Sequence, residues 1–380
     1  MKRELLSVIR FSLCLIGVLA LFSINAGCGP TLKQAHLSDR AVQEEKDKQR
    51  EIAFDTLVKR QKRLYEVSWP LLAAAASMNI DVAKPAGGFM VCTKDAFPKE
   101  YQEVAQRYFN LGDSPVIYYV HPKFPAAKAG IKPGDCLVNF NGQPLIGKSF
   151  KEITKIFQED QNPNNQQISL VINRNGQLIE VKMAGILCCS YPVVLTPNDQ
   201  VNAFSDGKRI IVTSGLIRST ETDEELAFVL SHEIAHNVLG HVGKKRGNVL
   251  LGSIFDVLVL ATTGVSTGGI FGKLGGSAYS KSFEFEADYA GLYIAARAGY
   301  DISSATNFWR RMAAEHPKSM ENSFAASHPS TPERYVAMEK TIQEIKEKQK
   351  LGKPLIPESK QNRSGEVGGL KPTSDPTSGK

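Results

Sequence analysis

Residues 222–236 read Thr-Asp-Glu-Glu-Leu-Ala-Phe-Val-Leu-Ser-His-Glu-Ile-Ala-His, and their spacing decides what the surrounding chain must build. Thr222 with Glu225 three residues on is a capping box, and the acidic residues sit at the positive end of the helix it opens. Leu226, Val229 and Leu230 carry an apolar stripe into the later turns. On that helix His232 and His236 are four residues apart and share a face, so both imidazoles can reach one metal ion. Glu233 points beside that face, placed to take a proton from an attacking water and pass it to a leaving amine. A structural zinc site is closed by four protein ligands, whereas a catalytic one uses three and keeps a position open.

The third ligand is expected on a second helix. Ser282-Phe283-Glu284-Phe285-Glu286-Ala287-Asp288 opens a run that continues through Tyr289, Ala290, Leu292 and Ile294. Glu284 and Asp288 share a face, so Glu284 is expected to ligate the metal while Asp288 holds a ligating histidine from behind. Glu286 falls on another face and reads as a solvated carboxylate. His241 comes five residues after His236, not the six of the metzincin layout, and reads as a helix-end histidine near the negative pole of the dipole.

Together these motifs resemble the gluzincin metallopeptidase family that includes HtpX and the CAAX prenyl protease. The matching features are His232-Glu-Ile-Ala-His236, Glu284-Phe-Glu-Ala-Asp288, the hairpin around Asn202-Ala203-Phe204, Gly215-Leu216-Ile217, and Ser327-His328-Pro329 followed by Arg334. They span nearly all of 190–345. The resemblance implies one zinc ion per chain and a hydrolase acting on peptide bonds. It implies that Asn202 and Ala203 border the cleft, where an extended substrate adds as a strand. It also implies that His328 faces the metal, either stabilising the oxyanion or closing the site as a fourth ligand. Arg334 would orient neighbouring carboxylates or substrate backbone, with a structural salt bridge as the alternative.

Ahead of this block, Val116-Ile117-Tyr118-Tyr119-Val120 reads as a strand. Pro125 to Gly130 reads as a short helix with a Gly stop, Pro133-Gly134-Asp135 as a turn, and Leu137 to Phe140 as a strand ending at Asn141-Gly142. A helix around 149–159 and strands at 167–173 and 178–183, hinged on Asn175-Gly176, complete a run that resembles a bacterial PDZ domain over roughly 112–185. Its carboxylate-cradling loop is matched loosely by Phe109-Asn110-Leu111-Gly112. Peptide capture and a plain spacer role both stay open for it.

The chain begins with Lys2, Arg3 and Arg10, then an apolar run from Phe11 to Ile24, then Ala26-Gly27-Cys28. This is the layout of a secretory signal, with Cys28 as the expected lipid-attachment site, although Asn25 stands where a lipobox carries an aliphatic residue. An uncleaved membrane anchor is the alternative. Cys92, Cys136, Cys188 and Cys189 then remain, and a bridge from Cys92 to Cys188 or Cys189 is expected. The net charge of +7 forms no basic stripe interleaved with aromatics, which argues for solubility or attraction to a membrane surface and against nucleic-acid binding.

With 42 % hydrophobic and 22 % charged residues, the 380-residue chain has the composition of an ordinary multidomain globular protein. The expected architecture is α+β: a mostly helical zincin catalytic domain with a β-hairpin at the cleft, preceded by a PDZ-like β-sandwich or barrel and an N-terminal helix. In residues, these are a signal at 1–27, a helix within 28–75, a mixed connection at 76–111, the PDZ-like domain at 112–187, the metalloprotease domain at 188–346 and a disordered tail at 347–380. The apolar, Gly-rich 249–276 reads as a helical hairpin or lid, with a membrane-dipping segment as the alternative. The function expected is an exported, lipid-tethered zinc endopeptidase acting on unfolded or extended polypeptides, on the periplasmic side of a bacterial membrane. Its rivals are a PDZ scaffold with a structural zinc site and a prenyl protease, the latter disfavoured by the lack of several long apolar spans.

Overall fold

The computed structural model describes residues 35, 37–159, 166–246, 281–315, 328 and 330–358. Helix α1 spans Asp39–Ala75. Its first turns belong to a separate compact unit, Met1–Gln49, where exposed pairs such as Arg40–Glu44 at 2.8 Å link successive turns. The second unit, Arg50–Lys380, contains the rest. Within it α1 serves two cores. Phe54 and Val58 pack with Val104, Leu111 and Tyr118, while Leu64, Val67 and Leu71 pack with the helices that carry the site. Ile52 on the same helix is exposed. No described helix is long and apolar enough to cross a membrane.

After α1 come β1 (Ala83–Ala86), β2 (Phe89–Cys92), α2 (Gln102–Phe109), β3 (Val116–Val120), α3 (Pro125–Lys128), β4 (Cys136–Phe140), β5 (Gln143–Pro144), α4 (Phe150–Glu159), β6 (Gln167–Arg174), β7 (Gln177–Ala184) and β8 (Ile186–Cys189). The main sheet runs β2-β3-β4-β6-β7, with β5 on β4, and β1 pairs separately with β8. Both Asn-Gly pairs turn as their chemistry demands: Asn141 and Gly142 have φ of 48° and 85°, Asn175 and Gly176 of 55° and 86°. Asp135 is buried and accepts two hydrogen bonds from the Arg174 guanidinium, which fastens the Pro-Gly-Asp turn to the end of β6.

Two expectations fail here. Residues 109–112 form the stop of α2, with Asn110 left-handed and Leu111 buried in the α1 core, and do not form a carboxylate loop. The glycines preceding the edge strand are instead Gly87 and Gly88; Gly88 has φ +80°, and a Cβ there would meet Phe124 at 2.1 Å. The cysteines form no bridge. Cys92 lies in the α1–β3 core and Cys188 and Cys189 in the core of the site helices, and all four are free thiols. Burial pushes the Cys92 and Cys189 thiols up to about 12, so they are packing residues, inert as nucleophiles.

The last third comprises β9 (Val193–Thr196), β10 (Ala203–Ser205), β11 (Ile210–Thr213), α5 (Ser214–Ser219), α6 (Asp223–Val238), α7 (His241–Arg246), α8 (Lys281–Arg297), α9 (Ala305–Glu315) and α10 (Pro332–Lys350). Strand β11 lies between antiparallel β10 and parallel β9. Arg63 of α1 bolts the α5–α6 junction, donating to the carbonyls of Ile217, Thr220 and Thr222 at 2.9, 3.0 and 2.8 Å and pairing with Asp223 at 2.9 Å. The tail expected to be disordered from 347 is ordered to 358: α10 reaches Lys350, and Lys348 and Tyr289 bind the backbone of Ile356 and Glu358. The expected lid at 249–276, the signal and Cys28 lie outside the described residues.

Candidate metal centre

Helix α6 starts as its sequence dictates, with the Thr222 hydroxyl accepting from Glu225 N at 3.3 Å. Its Glu225 carboxylate reaches back one residue further than a simple box, accepting from Glu221 N at 2.7 Å. The helix is buried from Leu226 to Val238, so both faces pack and the histidines are held by protein on all sides. Gly291 lets α8 lie directly on it: a Cβ at this position would come within 3.1 Å of the His232 backbone. That close approach carries Glu284, from the first turn of α8, to the histidine face.

Four buried side chains converge. His232, His236, Glu284 and His328 each offer one ligand atom, and these atoms lie within 4.8 Å of one another. Nε2 of His236 and Nε2 of His232 are 3.1 Å apart, and Nδ1 of His328 is 3.2 Å from the latter. The Glu284 carboxylate oxygens stand 3.1 Å from His328 Nδ1, 3.5 Å from His236 Nε2 and 3.6 Å from His232 Nε2. Tetrahedral zinc with bonds of about 2.0–2.1 Å separates neighbouring donors by about 3.3 Å. The donor set, nitrogen and oxygen only and spaced at 3.1–3.6 Å, therefore fits zinc.

Asp288 stands where the helix period puts it, with Oδ1 3.0 Å from His232 Nδ1. Arg334, buried at the start of α10, clamps Asp288 through Nε and Nη2 at 2.7 and 2.8 Å and reaches Glu284 Oε2 through Nη1 at 2.8 Å. It is thus bound to carboxylates, one of the two roles expected for it. Burial opposes charge on Asp288, but the guanidinium outweighs it and holds the carboxyl below its usual range. Burial likewise opposes charge on Glu284 and Glu233, and the surrounding histidines hold both low. Burial pushes His236 down to about 4, the neutral form that a metal ligand needs.

Glu233 is fully buried, and its Oε1 lies 3.2 Å from His328 Nε2. His328 therefore bridges the base on one side and the ligand cluster on the other. Its ring resists charge by burial, yet Glu284 and Glu233 outweigh this and lift it to about 9. Ala203 opens β10, which pairs with β11 and with no other described strand. Asn202 precedes it, buried, with its backbone N–H donating to the Thr213 hydroxyl at 3.1 Å. The hairpin is fixed to the metal helix by Asn237, whose side chain accepts from Gly207 N at 2.9 Å and donates to Arg209 O at 3.2 Å. That contact was not foreseen, since Asn237 reads as one more polar residue late in a helix.

His241 departs from expectation, while Glu286 is exposed as expected and gains a partner. His241 starts a new helix and is fully buried, with Nδ1 3.0 Å from His236 Nδ1, and Glu286 holds its other nitrogen at 3.1 Å.

Two histidines one helical turn apart, a carboxylate from a crossing helix and a buried glutamate beside them define a metallopeptidase of the zincin class. Residues 165–342 match Peptidase family M48 and 116–174 match the PDZ domain. The catalytic part of the chain is thus similar to peptidase family M48, with a segment similar to a PDZ domain ahead of it. It is 25 % identical over 242 residues to the mitochondrial metalloendopeptidase OMA1 of Schizosaccharomyces pombe, covering 61 % of this chain and 70 % of that protein. It is 31 % identical over 176 residues to the human metalloendopeptidase OMA1, covering 42 % of this chain and 33 % of the relative. To the beta-barrel assembly-enhancing protease of Yersinia pestis it is 32 % identical over 135 residues, covering 31 % and 27 %. The chain thus spans most of the fission-yeast relative but a third or less of the other two.

Proposed function

We propose that this protein is a zinc-dependent endopeptidase that hydrolyses extended or unfolded polypeptides in the cell envelope, exported and tethered through Cys28. The observation that carries the catalytic reading is the convergence of His232, His236 and Glu284 beside the buried Glu233. The signal-like Lys2 to Cys28 supports export and tethering, and the similarity to an assembly-enhancing protease supports an envelope quality-control role.

His232, His236 and Glu284 would hold the zinc. Bound there, zinc supplies Lewis acidity that acidifies water and polarises a peptide carbonyl. Glu233 takes the proton of the attacking water and returns it to the leaving amine nitrogen. Asp288, fixed by Arg334, keeps His232 in the tautomer that leaves Nε2 free to ligate. Strand β10, an edge of its sheet among the described strands and held against α6 by Asn237, supports backbone pairing with an extended substrate at Ala203. A second strand-addition edge lies on the PDZ sheet: β2 is its terminal strand, beside α4, with Phe89 and Phe157 ring centroids 6.2 Å apart. A peptide end captured there would raise the local concentration of substrate at the cleft.

His328 closes the site in the arrangement described, because its ring stands between Glu233 and the ligands. The ring must move for a substrate carbonyl to enter, and it then becomes a donor for negative charge developing on the carbonyl oxygen. Casein degradation by the full-length protein, Glu233→Gln and His328→Ala, with zinc content measured in each, tests the proposal. Cleavage by the unaltered protein and none by Glu233→Gln, with zinc in both, is the expected result. Zinc bound with no cleavage by the unaltered protein or by His328→Ala would favour a non-proteolytic PDZ scaffold.

A further inference from the structure

The proposed mechanism leaves two polar side chains beside the metal cluster unused. His236 presents Nε2 to the other donors, and its second ring nitrogen lies 3.0 Å from Nδ1 of His241. Nε2 of His241 lies 3.1 Å from Oε2 of Glu286. His241 is fully buried, whereas the Glu286 side chain is 53 % exposed. Phe283 stacks flat on the His241 ring, centroids 4.5 Å apart and planes 18° from parallel.

From this chain of contacts we infer that His241, anchored by Glu286, is the positioning residue for His236, fixing its tautomer and ring plane for metal binding. The inference rests on the metal-site reading above. Two ring nitrogens at hydrogen-bond distance require one protonated and one bare. A neutral His236 that ligates through Nε2 carries its proton on Nδ1 and donates it to His241 Nδ1. His241 must then be bare at Nδ1 and protonated at Nε2, which faces an acceptor carboxylate. Each proton along His236, His241 and Glu286 has a single consistent place.

The two ligating histidines are thus oriented by different means. His232 Nδ1 faces Oδ1 of Asp288 at 3.0 Å, a carboxylate paired with Arg334. His236 donates to an imidazole, which passes the polarisation on to a carboxylate at the surface. The backbone explains the spacing. Gly240 has φ +68° and ends α6 with a tight turn, so the first residue of α7 folds back beneath His236. His241 does not join the converging donor atoms, so its place five residues after His236 serves support and not ligation.

Zinc affinity, measured on the full-length protein by competition with a chromogenic chelator, tests this with His241→Ala, His241→Phe, His241→Asn and Glu286→Ala. Melting of the metal-free forms is recorded alongside. The Ala and Phe variants are expected to bind zinc about 10–100-fold more weakly. Asn, whose amide oxygen can accept the His236 Nδ1–H, is expected to recover most of that loss, and Glu286→Ala to lose less than about tenfold. Phe keeps the stacking on Phe283 without the acceptor. Wild-type affinity in the Phe variant, or an Asn variant no better than Phe, would overturn the inference while leaving the metal site standing. If the His241 variants do not fold, wild-type zinc affinity in Glu286→Ala overturns the anchoring. Failure of the unaltered protein to bind zinc would instead remove the reading beneath it.

Discussion

Glu233 and Glu284 are both buried carboxylates within reach of the same three imidazoles, and what faces each one separates their roles. Glu284 points at His236 and is fixed from the other side by Arg334, so its oxygens are held for ligation. Glu233 has His328 in front of it, which leaves it free to exchange a proton once that ring moves. Glu233→Gln is therefore expected to lower casein turnover by about 10²–10⁴-fold with zinc content unchanged; loss of zinc from the variant would make Glu233 a ligand instead. Arg334→Ala leaves two buried carboxylates without their cation and should cost about 3–5 kcal/mol, read as a lowered melting temperature together with weaker zinc binding. A variant melting with the wild type would reduce Arg334 to a dispensable contact. The sequence disclosed Glu233, Glu284 and Asp288 because helical periodicity alone places them. It did not disclose the partnership of His236 with His241, which depends on a left-handed glycine, nor which carboxylates Arg334 meets, Asp288 lying 46 positions away.

At the scale of elements, the metal site is a crossing of α6 and α8 whose spacing is set by Gly291. A methyl group there would press on the Ser231 and His232 backbone at 3.1–3.2 Å, and backbone cannot move aside as a side chain can. Gly291→Ala is expected to cost about 1–3 kcal/mol and to weaken zinc binding by displacing His232 from Glu284. Zinc affinity equal to wild type would show that the helices can spread without harm to the site. Local chemistry made many elements legible: the Asn-Gly turns, the short Pro-initiated helix after β3 and the capped α6. Elements defined by pairing were not. Strand β2 lies in a stretch with no clear alternation, and only its register against β3 makes it the edge of the PDZ sheet. The Cys92 bridge failed for the same reason, since spacing along the chain says nothing about which core a thiol enters.

Across the whole second unit, α1 is the part that holds the PDZ sheet and the catalytic helices in common. On the PDZ side the buried His121 receives the Lys123 N–H on Nδ1 at 3.2 Å and offers Nε2 to the Glu66 carbonyl of α1 at 3.2 Å. That is a neutral ring with both nitrogens engaged. Burial lowers its pKa from 6.5 despite the nearby Glu66 carboxylate. The folded protein therefore binds this proton less readily than the unfolded chain. The stabilisation is complete above 6.5 and is lost as pH falls through the lower folded value. Between about pH 7.5 and about pH 5 the melting temperature should drop more for the unaltered protein than for His121→Gln, and equal slopes would assign the acid sensitivity elsewhere.

The most direct test of the central claim is a zinc titration of the chelator-stripped, full-length protein followed by casein cleavage, with Glu284→Ala run in parallel. The expected outcome is no cleavage by the stripped protein, recovery complete at one zinc per chain, and no recovery in Glu284→Ala at that stoichiometry. Cleavage by the stripped protein, or full recovery in Glu284→Ala, would contradict it.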